Sequence, residues 1–303
     1  MNAEETAGAK AYLSSYGISL TSSLSFPGPW RAQPPASEAT AIGIGQLPVT
    51  SRDMALGWSG KCDGKAFVAA VSRSGEHWFL HGGQTLFHLS ADYRTLTGES
   101  SVERGTGWWR ILLDSVLFSV ALLRGCEALH AGAVATQCGA VAIVARSGAG
   151  KSTLLAELLR QGYGFVSDDI LFLDSEGDEL FAHPGPPVMT LPRERAADTG
   201  THLGDIGDEV WLGIPVVSGP VPLRRLVLLD RTPAAPSGLT RVEKPLAPLL
   251  THLLRFPRAR DRDFARFSVA STIASRCEVW HLVAGMNAAP HRLAALVVQG
   301  LSS

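Results

Sequence analysis

The sequence predicts two differently built parts: a smaller β-rich N-terminal domain, then an α/β domain organised around a phosphate-binding loop. Three observations carry this expectation. As far as about residue 96 the chain runs in short extended stretches punctuated by turn residues. Between Gly105 and Gly125 the apolar spacing becomes that of a helix. From Leu129 onward, an unbroken apolar strand leads into a glycine-rich loop and a leucine-faced helix. A chain of 303 residues is long enough for two domains. The pattern divides it into residues 1–105 (β-rich), 106–126 (a connecting helix) and 127–303 (α/β).

In the first part, residues 11–24 alternate loosely as far as Pro27-Gly28-Pro29, and residues 39–47 form another extended run. Residues 66–72 and 77–80 have hairpin character around a turn at 73–76, and His81-Gly82-Gly83 turns the chain into residues 85–89. In the connecting segment Trp108, Leu112, Leu113, Val116, Val120 and Leu123 share a helical face, with Gly125 in the capping position. Trp108-Trp109, opening such a helix, favours core packing over a stacking platform. Further on, residues 131–135 and 140–145 are strands about a tight turn. A helix over 152–161 turns Leu154, Leu155, Leu158 and Leu159 inward and ends at Gly162. Residues 164–167 form a strand ending in Asp168-Asp169, and 170–173 stay extended. The Pro- and Gly-rich stretch 184–219 reads as loops and short strands, 223–229 as a strand, and 245–255 and 290–298 as helices.

Composition narrows the function. A net charge of −1 gives no electrostatic reason to expect nucleic acid or an anionic membrane as partner. Cys62, Cys126, Cys138 and Cys277 match no zinc or redox spacing and suit reduced thiols. The acidic, apolar-poor start is unlike a secretory signal. The most apolar run, 116–123, is about half the length a spanning helix needs and reads as a core helix. A cytoplasmic protein away from membranes is expected.

The chemistry centres on Ala145-Arg146-Ser147-Gly148-Ala149-Gly150-Lys151-Ser152-Thr153. A phosphate cradle needs glycines so that successive backbone N–H groups can converge on one anion, and Gly148 and Gly150 supply that freedom. The helix that follows aims the positive end of its dipole at the same point. Lys151 is expected to bridge the β- and γ-phosphates of ATP, Ser152 to coordinate Mg²⁺, and Thr153 to contact the α-phosphate. Where the usual pattern opens with glycine this chain has Ala145, so the backbone there has to suit a residue with a Cβ.

Ser167-Asp168-Asp169 follows at the end of the next strand, and ligands of open parallel sheets gather at carboxyl ends of strands. Two adjacent buried acids need a compensating cation or hydrogen bonds. One can accept a hydroxyl proton as base (Asp168) while the other (Asp169) holds the metal or its waters. His130, where the preceding strand begins, is either a structural histidine or one that reaches Asp168 and tunes it. Arg193 and Arg195, or the dense set Arg255, Arg258, Arg260, Arg262 and Arg266, could clamp an acidic ligand, although alternation with Asp261 and Asp263 also describes a solvated helix face.

Leu129-His130-Ala131-Gly132-Ala133, the loop at 145–153 and the stretch 162–169 together resemble the catalytic domain of HPr kinase/phosphorylases, which phosphorylate a serine on a small carrier protein. The resemblance covers residues 127–174 well. It implies an α/β P-loop kinase domain in which Asp168 is the catalytic base, His130 modulates it, Lys151 and Ser152 contact nucleotide and Mg²⁺, and Asp169 is the second acid. The family's glycine-rich segment with a metal-binding glutamate has Gly200–Gly207 as its nearest counterpart, a poor match. The N-terminal part instead looks like the β-rich leader of HPr-kinase-like proteins that accompany ribosomal peptides, lasso peptides among them, and phosphorylate a serine on the precursor. The resemblance thus implies an ATP-dependent serine kinase acting on a small protein or precursor peptide, with a homo-oligomer possible. A small-molecule P-loop kinase and a nucleotide-responsive binding module with little turnover are the alternatives.

Overall fold

In the computed structural model, which describes residues 10–48, 54–62, 64–99, 104–233, 236–253 and 263–302, the chain divides between Gly125 and Cys126 into two units. The fold is mixed α/β and rich in sheet. The first unit contains β1 (Ala11–Ser15), β2 (Ile18–Ser22), β3 (Thr40–Gly45), β4 (Ala55–Cys62), β5 (Lys65–Val71), β6 (His77–His81), β7 (Thr85–Leu89) and β8 (Thr95–Glu99). They form one sheet in the order β1-β2-β3-β8-β7-β6-β5-β4. Residues 11–24, expected as one extended run, fold back on themselves. Tyr16 and Gly17 both take positive φ (57° and 79°), the geometry of a two-residue hairpin turn whose twist matches that of its strands.

Helix α1 (Thr106–Arg110), a π-helical turn (Ile111–Val116) and α2 (Leu117–Leu123) run on as a single helical stretch that belongs to the first unit. By length and composition Thr106–Leu123 could cross a membrane, but 56% of it is buried inside the fold, as in a core helix. Trp108 packs where a side chain at Gly98 would be, since a Cβ there would lie 2.6 Å from its ring. Trp108 is a core residue and β8 needs glycine beneath it.

The second unit starts with β9 (Glu127–Leu129), β10 (Ala131–Thr136) and β11 (Gly139–Ala145), followed by α3 (Lys151–Arg160) and β12 (Gly164–Ser167). Then come β13 (Leu171–Glu176), β14 (Glu179–His183), β15 (Val188–Pro192), β16 (Thr201–Ile206), β17 (Glu209–Gly213), β18 (Val221–Thr232) and β19 (Gly238–Arg241). Helices α4 (Leu246–Leu250) and α5 (Asp263–Arg276), β20 (Glu278–Gly285) and α6 (Pro290–Ser302) complete it. The main sheet has the order β12-β10-β11-β18-β14-β13-β9, with β20 against β18 and β19 against β20. The Pro- and Gly-rich region yields a separate three-stranded sheet, β15-β17-β16.

The main sheet is mixed. β11 runs parallel to β18, and β18 to β20, but β10 is antiparallel to both β11 and β12. Only Gln137 and Cys138 separate β10 from β11, and two residues can close a hairpin but never a parallel crossover. Helices cover both faces of the sheet. Val141, Ile143 and Ala145 pack with Leu154, Leu155 and Leu158 of α3 and Leu293 of α6, while Ala140, Ala142 and Val144 pack with Leu249 of α4 and Ile273 of α5. This double coverage explains the unbroken apolar character of β11.

Candidate phosphate site

Strand β11 delivers the glycine loop to the sheet edge. Ala145 is the last residue of β11, paired with Leu229 of β18, and its backbone is in strand conformation. A Cβ is therefore tolerated at this position, where other loops of the kind begin with glycine. Gly148 and Gly150 take φ of +78° and +93°, and Gly150 is the N-cap of α3. No side chain caps that helix end, which leaves its first N–H groups free to bind an anion. The N–H of Ala149 donates to the carbonyl of Arg146 (3.1 Å), closing the loop on itself.

α3 can lie close on the sheet because β10 carries Gly132 beneath it. A Cβ there would stand 2.2 Å from Cδ1 of Leu155. This contact sets the height of α3 and with it the positions of Lys151 and Ser152. Ser167 pairs with Ala133 of β10, so Asp168 and Asp169 emerge at the sheet edge where β11 ends. They stand two strands from the loop's own strand, with β10 between. The chain turns sharply there: the N–H of Ile170 donates to the carbonyl of Asp168 (2.7 Å), and Asp169 has φ of +63°. Asp is among the few residues that tolerate this left-handed conformation.

The lysine and both acids meet. Lys151 Nζ lies 2.6 Å from Asp169 Oδ1 and 3.5 Å from Asp168 Oδ1, and Ser152 Oγ donates to Asp168 Oδ1 at 3.0 Å. The Lys151 and Asp168 side chains are 6% and 8% exposed, whereas Asp169 is 69% exposed. Lys151 thus faces two carboxylates, with Asp168 out of water and Asp169 largely in it.

No protein-family model matches this chain, and no curated protein matches it. Among solved structures it is similar to the Hpr(Ser) kinase/phosphatase from Coxiella burnetii, at 14% identity and a TM-score of 0.34, over 58% of this chain and 96% of that one. Any functional reading therefore rests on the geometry of the site itself.

Burial raises the pKa of the Asp168 carboxyl, and the charge of Asp169 raises it further; Lys151 and the Ser152 hydroxyl oppose the shift without cancelling it. For Lys151, burial favours the neutral amine, but the two carboxylates outweigh it and hold the pKa above its usual value. The lysine is a firm cation beside an acid with raised proton affinity.

His130 does not join this cluster. The side-chain hydrogen bonds of Asp168 come from Lys151 and Ser152, and the His130 N–H donates to the carbonyl of His252 (3.0 Å). Of the two alternatives the sequence left open for His130, a structural residue or a partner of Asp168, no hydrogen bond among the described residues supports the second. β10 does neighbour β12, but His130 precedes its first paired residue, and its backbone N–H is bound by the chain that follows α4. Burial lowers the pKa of His252 there, with His130 and Arg146 adding to the effect and Asp230 opposing it.

Of the arginines singled out in the sequence, the described ones have partners outside this cluster. Arg193 pairs with Asp205, and the carbonyl of Arg195 accepts from Arg160 at the last turn of α3, opposite the loop end. Arg255, Arg258, Arg260 and Arg262 lie outside the described residues, and Arg266 pairs with Asp263. The basic residue that does meet the loop is Arg231, near the end of β18, which sequence reasoning passed over. Its signal was available: a charged residue at the carboxyl end of a strand parallel to the one that feeds the loop.

Proposed function

We propose that this chain is an ATP-dependent phosphotransferase that moves the γ-phosphoryl group to the serine hydroxyl of a small protein or precursor peptide. The observation that carries the reading is the convergence of Lys151, Ser152, Asp168 and Asp169 at the mouth of a loop with two positive-φ glycines and an uncapped helix end. A lone lysine or a lone acidic pair has many structural uses. A lysine and hydroxyl from a helix N-terminus set against two carboxylates is the equipment of phosphoryl transfer.

The loop amides of residues 148–152 would cradle the β- and γ-phosphates, with Thr153 in the first helical turn toward the α-phosphate. Mg²⁺, held by the Ser152 hydroxyl and the Asp169 carboxylate, would neutralise charge on the phosphates. The donor set fits this ion: hard oxygens, one of them on a widely exposed side chain with room for the ion's waters. In the ligand-free chain Lys151 is occupied by the two acids. Polyphosphate competes for the lysine, and its release leaves Asp168 free to act as base. Asp168 would take the hydroxyl proton as the acceptor oxygen bonds to the γ-phosphorus and the bridging P–O bond breaks, with ADP leaving. Its raised proton affinity suits that task.

The test is transfer of labelled γ-phosphate to serine-containing peptides, run beside calorimetric ATP binding. Asp168→Asn is expected to abolish transfer and keep ATP binding. Normal turnover in that variant removes Asp168 from the role of base. Tight ATP binding by the native protein with no labelled product from any peptide or metabolite pool would leave the binding-module alternative standing instead.

A further inference from the structure

Arg231 makes two hydrogen bonds beside the loop and fills the space next to Gly150. Nε donates to the carbonyl of Ala149 (2.9 Å), Nη1 donates to the carbonyl of Gly285 at the end of β20 (3.0 Å), and Nη2 lies 3.0 Å from where a Cβ on Gly150 would stand. The guanidinium is part-buried, and among the described residues no carboxylate lies within ion-pair distance of it. Buried positive charge is normally paired. Here two carbonyl dipoles hold it against a loop whose own N–H groups and helix dipole are also positive, while Lys151 is already paired with Asp168 and Asp169.

We propose that Arg231 is the positioning residue that pre-forms the phosphate loop and tunes its affinity for polyphosphate. The inference rests on the phosphate-binding reading above. The mechanism is a clamp. Carbonyls in such a loop must point away from the anion so that the amides can point toward it, and Arg231 holds the Ala149 carbonyl in that outward direction. The planar fork of the guanidinium spans two carbonyls on separate segments, tying the loop to β20, which a lysine with its single point charge cannot do. Its charge also acts on any anion in the cradle. The fork occupies the space that a side chain at position 150 would need, a second reason for glycine there besides its φ.

Arg231→Ala and Arg231→Lys separate these effects. The primary readout needs no ligand: amide hydrogen exchange of a peptide covering residues 146–153. Arg231→Ala is expected to exchange faster there while the rest of the second unit keeps its protection, and Arg231→Lys should exchange nearly as fast. The second readout is calorimetric binding of inorganic tripolyphosphate. An expected loss of about 10–100-fold for the alanine variant, the value of a hydrogen-bonded charge, should be smaller in the lysine variant. Methylguanidinium added to Arg231→Ala should restore part of the affinity, which a merely structural lesion would not allow. Unchanged loop exchange in both variants overturns the clamp, and so does wild-type tripolyphosphate affinity in Arg231→Ala. If the native protein itself binds no tripolyphosphate while loop exchange still responds to Arg231, the phosphate reading of the site fails, and the claim about affinity fails with it. Loss of protection throughout the second unit in both variants would make Arg231 a general stability residue and also overturn the proposal.

Discussion

Gly132→Ala is expected to destabilise the second unit by about 1–3 kcal/mol, the usual cost of forcing a methyl group into a full core. Two effects of opposite sign compete. Gly132 does not have a positive φ, so an alanine would otherwise gain about 0.5–1 kcal/mol by restricting the unfolded chain. The new Cβ, however, would stand 2.2 Å from Leu155 Cδ1, against an ordinary carbon separation of about 3.5–4.0 Å. Leu155 must retreat by well over an ångström. It is fully buried between α3 and the sheet, among Val134, Ile143 and Leu158, so the clash outweighs the entropic gain. Relief comes either from a strained Leu155 rotamer or from α3 lifting off the sheet, which would move Lys151 and Ser152 away from the acids. Urea unfolding of the single variants and the double variant with Leu155→Ala tests this. Leu155→Ala alone should cost roughly 2–5 kcal/mol. In that background Gly132→Ala should become neutral or favourable, so the two changes couple by more than 1 kcal/mol. An equal effect of Gly132→Ala in both backgrounds, or a cost below about 0.5 kcal/mol in the native one, would refute the reasoning.

Gly139→Ala should destabilise more than Gly148→Ala in chemical unfolding. At 139 the φ of +126° is joined by a Cβ only 2.6 Å from the Pro222 carbonyl, whereas at 148 the φ of +78° is the sole obstacle, worth about 1–2 kcal/mol. Ser152→Ala should reduce the gain in ATP affinity that Mg²⁺ brings, measured as the ratio of dissociation constants with Mg²⁺ and with EDTA; an unchanged ratio removes Ser152 from the metal site. Burial pushes the Cys277 thiol up to about 11, so iodoacetamide at pH 8 should label it far more slowly than exposed Cys138, read by peptide mapping. Its folded pKa lies above the unfolded value of 9.0, so its contribution to stability is full below pH 9 and is lost as pH rises toward 11, by roughly 2–3 kcal/mol in all. Cys277→Ala should flatten that limb of the stability curve.

Local periodicity carried much of the fold, because the signals that make a strand or helix are near neighbours in the chain. β11 and α3 appear within one residue of where their apolar pattern put them, and the glycines at 148 and 150 have the backbone freedom the loop requires. Strand order was less legible. The tight turn read between residues 131–135 and 140–145 is the β10–β11 hairpin, but nothing local told which strands distant in the chain would lie side by side. The Tyr16-Gly17 turn was missed because it lacks the usual Asn-Gly or Asp-Gly signature; Tyr16 keeps its positive φ while fully buried.

By itself the sequence determined which residues could bind phosphate and how far apart they sit along the chain: a glycine loop, a lysine and hydroxyl opening a helix, and two acids seventeen residues or so beyond. Tertiary structure alone decided which of them meet. β10 intervenes between β11 and β12, and a glycine under Leu155 lets α3 sit low enough for Lys151 to reach both acids. Arg231 arrives from more than eighty residues away in the chain. Such contacts depend on strand order and packing height, which are properties of the whole sheet, and no window of neighbouring residues contains them.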